Sequence, residues 1–165
     1  MDIPRLTRHL MAGTWQTRRA FSTQVLRVIE RAIGQTEQMH AGEIRFAVEG
    51  SLPLSQLLAG HTARARAVEV FSQLRIWDTA HNNGVLVYVL LADRAVEIVA
   101  DRGIDALVDQ RDWDTICNAM QAAYGRGEFE QGSVAGVQAI AQHLALHFPP
   151  TESASNELPD VPVML

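Results

Sequence analysis

The run Val85-Leu86-Val87-Tyr88-Val89-Leu90-Leu91 constrains the fold more than any other segment of the chain. A strand of this composition has no polar face. It must therefore be covered on both sides, which places it at the centre of a sheet between helix layers. Asn82-Asn83-Gly84 before it is a turn signal, and Asp93-Arg94 after it reads as a plain turn into a second strand over 95–100. The two strands form an antiparallel hairpin.

The flanking segments supply the layers. Residues 43–49 alternate, with Ile44, Phe46 and Val48 on one side and Glu43, Arg45, Ala47 and Glu49 on the other, the pattern of a strand with one solvated face. A short helix is expected over 2–11, interrupted by Gly13 and Thr14. Phe21, Val25, Ile29 and Ile33 fall four apart and predict a helix over 22–40, weakened by Gly34. A helix over 62–74 turns Ala63, Ala67, Val70, Phe71 and Leu74 inward and leaves His61, Arg64 and Arg66 on a solvated face. Asp112 caps a further helix and Ser133 the last one, whose stripe Val134, Val137, Ala141, Leu144 and Phe148 ends at Pro149-Pro150. Residues 151–157 read as a polar, mobile connector. Pro162-Val163-Met164-Leu165 is too apolar to float: it packs back on the body, with an edge strand as one form, or docks on a partner. The reading is an α/β chain with a helical arm over 1–20, an α/β domain over 21–150 and a C-terminal tail over 151–165.

Composition excludes several functions. A net charge of −5 is the wrong sign for neutralising nucleic-acid phosphates. All 14 basic residues other than histidine are arginine, so no Walker-type or Schiff-base lysine exists. Cys117, the single cysteine, cannot form an internal disulfide or a cysteine metal cluster. No apolar run approaches the roughly 20 residues of a membrane span, and the first 15 residues lack a leader-like apolar stretch. A cytoplasmic location is expected.

The hairpin also predicts where chemistry collects. The start of one strand lies beside the end of its partner, so Asp78, His81, Asn82 and Asn83 approach Asp101, Arg102 and Asp105. Asp78, Asn82, Asp101 and Asp105 offer oxygen ligands suited to Ca²⁺ or Mg²⁺ rather than zinc. His81 can serve as a general acid–base and Arg102 can hold phosphate oxygens. The alternative is that these aspartates are caps and Asn83 sets the turn. Asp112-Trp113-Asp114-Thr115 reads as a helix start, and His143 with His147 lacks the pattern of a zinc motif.

From Gly42 onward the chain resembles the TPM-domain family. The resemblance rests on Gly42-Glu43-Ile44-Arg45, on Ala67, Val70-Phe71 and Leu74, on Thr79, and on Asn83-Gly84-Val85-Leu86-Val87-Tyr88. It continues through Asp101-Arg102-Gly103-Ile104, Trp113 and Phe148-Pro149, and Asn156-Glu157-Leu158-Pro159-Asp160 with Pro162-Val163 looks like a cytoplasmic bacterial branch. It implies a three-layer α/β sandwich, a short mixed central β-sheet with helices on both faces. It also implies either an acid phosphatase or a calcium-binding module of membrane assemblies, with an acidic sheet edge at Asp78, Asp101 and Asp105. The family's arginine before the turn asparagine is Asn82 here, and the leader and membrane anchor of many relatives are not seen. Three functions follow as expectations: a cation-dependent module that docks a protein or membrane-protein complex, a metal-assisted phosphatase acting on a phosphoester, or a ligand-free interaction domain.

Overall fold

The apolar run becomes β2 (Gly84–Leu90), buried at every position in a computed structural model that describes residues 3–151 and 156–165. It pairs antiparallel with β3 (Ala95–Ala100), Val85 opposite Ala100 and Leu90 opposite Ala95. On its other side it pairs in parallel with β1 (Glu43–Glu49), and β1 pairs in parallel with a two-residue strand β4 (Val163–Met164). The order is β3-β2-β1-β4. A parallel neighbour needs a crossover, supplied by α4 (Leu54–Leu58) and α5 (Ala63–Gln73).

Helices cover both faces. On one, α3 (Thr23–Thr36), α7 (Gln110–Gly125) and α8 (Phe129–His147) bury Ile29, Ile33, Trp113, Met120, Ile140 and Leu144 against Ile44, Phe46, Val85, Val87 and Ile98. On the other, α5 lays Ala67, Val70 and Phe71 on Leu86, Tyr88 and Leu90. The three-layer mixed-sheet architecture is thus as the sequence and the resemblance imply. The remaining helices are α1 (Ile3–Met11), α2 (Thr14–Ala20) and α6 (Arg102–Asp105), the last a single turn.

Several local expectations change. The helix over 22–40 stops at Thr36, although Gly34 does not break it. Helices α2 and α4 are too short to show a periodicity. Helix α7 is capped by Asp109, whose carboxylate accepts the Arg111 N–H at 2.9 Å, so Asp112 lies inside the first turn. Helix α8 begins at Phe129, two residues after Gly127, whose positive φ of 81° ends the preceding turn. Ser133 is buried within α8, bonded to the Phe129 carbonyl and the Tyr124 hydroxyl. The expected helix start at Asp2 and most of the connector over 151–157 lie outside the described residues.

The largest correction concerns β1. Its supposedly solvated side is buried. The C-terminal segment covers Glu43 and Arg45: the Glu43 carboxylate accepts the N–H groups of Glu157 and Leu158 at 2.9 and 3.2 Å. Arg45 donates to the carbonyls of Pro159 and Val161. Leu165 N–H then bonds the Val48 carbonyl at 2.9 Å. The tail therefore lies on its own body. At the far end of β1, Glu49 is held by Arg66 at 2.9 Å and by the Tyr88 hydroxyl at 2.5 Å, so Arg66 is no part of a solvated face. Charged side chains mimic an amphipathic strand in sequence, yet here each is buried and hydrogen-bonded.

Candidate functional site

At the amino ends of β1 and β2 the loop over 78–83 is built from its own backbone. Asn82 adopts φ 52°, a left-handed conformation that asparagine tolerates. Its carbonyl accepts the N–H groups of Gly103 and Ile104 at 2.9 and 3.3 Å, tying the loop to the first turn of α6. A methyl group on Gly103 would lie 2.5 Å from the Asn82 carbonyl oxygen and 2.6 Å from that of His81, so glycine lets the two segments touch. Asn83 is fully buried. Its amide nitrogen donates to the Ala41 carbonyl at 2.9 Å, and its backbone N–H to the Thr79 hydroxyl at 3.2 Å. Glu157 reaches the same loop, accepting the Ala80 N–H at 3.1 Å.

Asp101 follows β3 directly and caps α6. One carboxylate oxygen accepts the Arg102 N–H at 2.7 Å. The other, Oδ2, is buried and has no hydrogen-bond partner, and the residue is only 8% exposed. Burying a carboxylate oxygen without a donor is costly. The Asn83 Oδ1 is buried and unpartnered as well. Arg102 Nε donates to Asn82 Oδ1 at 3.3 Å.

Part of the predicted set meets here, and no side-chain contact joins Asp78, His81 or Asp105 to it among the described residues. Asp101, Asn82, Arg102 and the backbone of His81 converge at one junction, while Asp78, His81, Arg102 and Asp105 expose their side chains. Among the described residues, no group of three or more His, Cys, Asp or Glu side chains is arranged to hold a metal ion. Elsewhere, His143 packs its ring 5.5 Å from that of Trp113. Burial pushes the Cys117 thiol up to about 11, which makes it a poor nucleophile.

With this geometry in view, the sequence matches the family profile of the TPM domain over residues 16–143. The chain belongs to the TPM-domain family. The NMR structure of the BA42 protein from the psychrophilic bacterium Bizionia argentinensis is similar to this TPM domain, with 32% identity and a TM-score of 0.77. The likeness covers 87% of this chain and 94% of that one. A comparison with curated proteins returns no match.

Sequence reasoning missed two polar centres of this TPM domain. The first is Asp93, read as a plain turn residue. It accepts Arg5 Nε at 3.0 Å and Arg5 Nη2 at 2.8 Å, and lies 2.9 Å from His9 Nε2. His9 Nδ1 accepts the Leu52 N–H at 3.0 Å, so the ring proton belongs on Nε2, facing Asp93. The arm thus seals the carboxyl ends of β1 and β2. The second is an acidic seam where Glu37, Glu43 and Asp160 meet. Asp93 carried no signal beyond its turn, and the seam joins residues more than 110 positions apart.

Proposed function

We propose that this TPM domain is a divalent-cation-dependent binding and assembly module, with Ca²⁺ or Mg²⁺ at the junction of the 78–83 loop and the 101–105 turn. The buried, donorless Oδ2 of Asp101 carries the reading. A hard cation would offset its desolvation, as no nearby N–H does. Asp101 is the anchoring ligand, with Asn82, Asp78 and Asp105 contributing oxygens and water filling the remaining positions. A site with so few protein carboxylates binds weakly and responds to the cation level. The bound cation orders two loops already tied through Asn82, and that ordered edge docks a protein or membrane-protein complex.

The expected location is cytoplasmic, in a bacterial branch of the family. No helix among the described residues is long and apolar enough to cross a membrane. The acidic net charge argues against nucleic acid as a partner.

A second reading is a metal-assisted acid phosphatase. It is favoured by the placement of His81 and Arg102, exposed on the two arms of the same junction. Here Arg102 would hold phosphate oxygens and His81 would move a proton, while the cation supplies charge for the transferred group.

Titrating Ca²⁺ into chelator-stripped protein, with Mg²⁺ as competitor, tests both readings. Asparagine is an equally good helix cap, so Asp101→Asn keeps α6 while removing the charge. Saturable heat abolished in that variant supports the site. Absence of heat and of any thermal shift in the unaltered protein overturns both readings. Phosphate release at full rate in Asp101→Asn rejects the second alone.

A further inference from the structure

Helix α1 is amphipathic and docked the wrong way round for a soluble protein. Its polar side faces the body: Arg5 and His9 bind Asp93, and Arg5 also donates to the His61 carbonyl at 2.7 Å. Its apolar side faces outward, with Ile3 61%, Leu10 67% and Met11 77% exposed. Trp15, at the start of α2 in the same arm, is likewise 67% exposed. The usual arrangement buries the apolar stripe. An exposed stripe of this kind marks an interaction surface.

Charge identifies what covers it. Residues 1–20 hold four arginines and one acidic residue, on a chain of net charge −5. Arg8, Arg18 and Arg19 are exposed on the same arm, Arg8 also reaching Asp93 at 3.9 Å, and the Arg19 guanidinium sits 5.4 Å from the Trp15 ring centroid. A second copy of the same face would set arginine against arginine. An anionic headgroup layer complements every element: apolar side chains enter the acyl boundary, tryptophan sits at headgroup level, and arginines pair with phosphates.

We propose that the arm formed by α1 and α2 is a membrane-surface anchor that lays Ile3, Leu10, Met11 and Trp15 into an anionic lipid bilayer. Helix α1 lies in the interface plane, and its polar side keeps its hold on Asp93. The arm covers the carboxyl ends of β1 and β2, opposite the 78–83 loop. Lipid binding therefore leaves the loop junction facing away from the bilayer, and it does not depend on the cation site.

The test is co-sedimentation of the full chain with vesicles of phosphatidylcholine containing phosphatidylglycerol, against phosphatidylcholine alone. The expected result is retention by the anionic vesicles, weakened by salt. Leu10→Glu with Met11→Glu, at positions too exposed to affect folding, abolishes it. Arg18→Glu with Arg19→Glu reduces it roughly tenfold or more, at a surface contribution of several-fold per arginine. Asp101→Asn binds vesicles unchanged. Unaltered protein left in the supernatant overturns the proposal, as does equal retention of the Leu10/Met11 variant. A dimer dissolved by that variant, with no vesicle binding, overturns it in favour of a second copy.

Discussion

Glu37 and Asp160 set two carboxyl groups against each other where α3 meets the C-terminal segment. The Asn156 amide bridges them, donating at 3.1 Å to Glu37 Oε2 and at 2.8 Å to Asp160 Oδ1. Glu37 Oε1 is buried without a donor of its own. Burial, then the neighbouring Asp160, push Glu37 up to about 8, so a shared proton closes the contact.

That proton has a stability consequence. Between the ordinary carboxylate range and about 8, the folded chain keeps a proton that the unfolded chain releases. Stability is full at the acidic end of this window and falls as pH rises through it. Glu43, raised chiefly by burial, acts in the same direction. Melting temperatures across this window are expected to decline for the unaltered protein. Glu37→Gln, which copies the protonated form, flattens that decline; an unchanged slope would show that the proton resides elsewhere.

Arg66→Met is expected to destabilise the fold by about 3–5 kcal/mol, because it leaves the Glu49 carboxylate buried beside Tyr88 without its cation. Urea unfolding measures this. Adding Glu49→Gln should recover much of the loss, since the uncompensated charge is the main cost.

Asp93→Ala should release α1, with a cost of about 2 kcal/mol from its charge-assisted bonds to Arg5 and His9. Limited trypsin digestion is the readout. Cleavage after Arg5 and Arg8 should precede any cut in the core, and a digestion pattern like that of the unaltered protein would mean that other contacts hold the arm.

Gly103→Ala drives a methyl group into two backbone carbonyls that cannot rotate away. A loss of about 1–3 kcal/mol is expected. Amide exchange should speed up at Ile104, whose N–H sits on the Asn82 carbonyl, well before it does in β2.

The sheet was legible because its signals are local. The unbroken apolar run of β2, the Asp93-Arg94 turn and the stripes on α3 and α8 each lie within one segment, and each folds as its periodicity predicts. The loop junction was legible for the same reason: hairpin geometry alone brings Asn82 to Arg102 and Gly103. What escaped is decided by distant partners. Glu43, Arg45 and Glu49 alternate like a wet face, and only the residues that close over them reveal a dry one. Asp93 looks like any turn aspartate until Arg5 and His9 arrive. The inverted docking of α1 was equally hidden, since an amphipathic pattern does not say which side meets the body.

The late arrival of β4 puts the charges of β1 in a different light. Its partner strand stands 116 residues downstream, so loop closure delays that pairing relative to the β2–β3 hairpin. Until then β1 is an exposed edge carrying Ile44, Phe46 and Val48, a segment apt to recruit a strand from a neighbouring chain. Glu43 and Arg45 serve as gatekeepers during that interval, their charges opposing intermolecular pairing before the native segment arrives to use them as anchors.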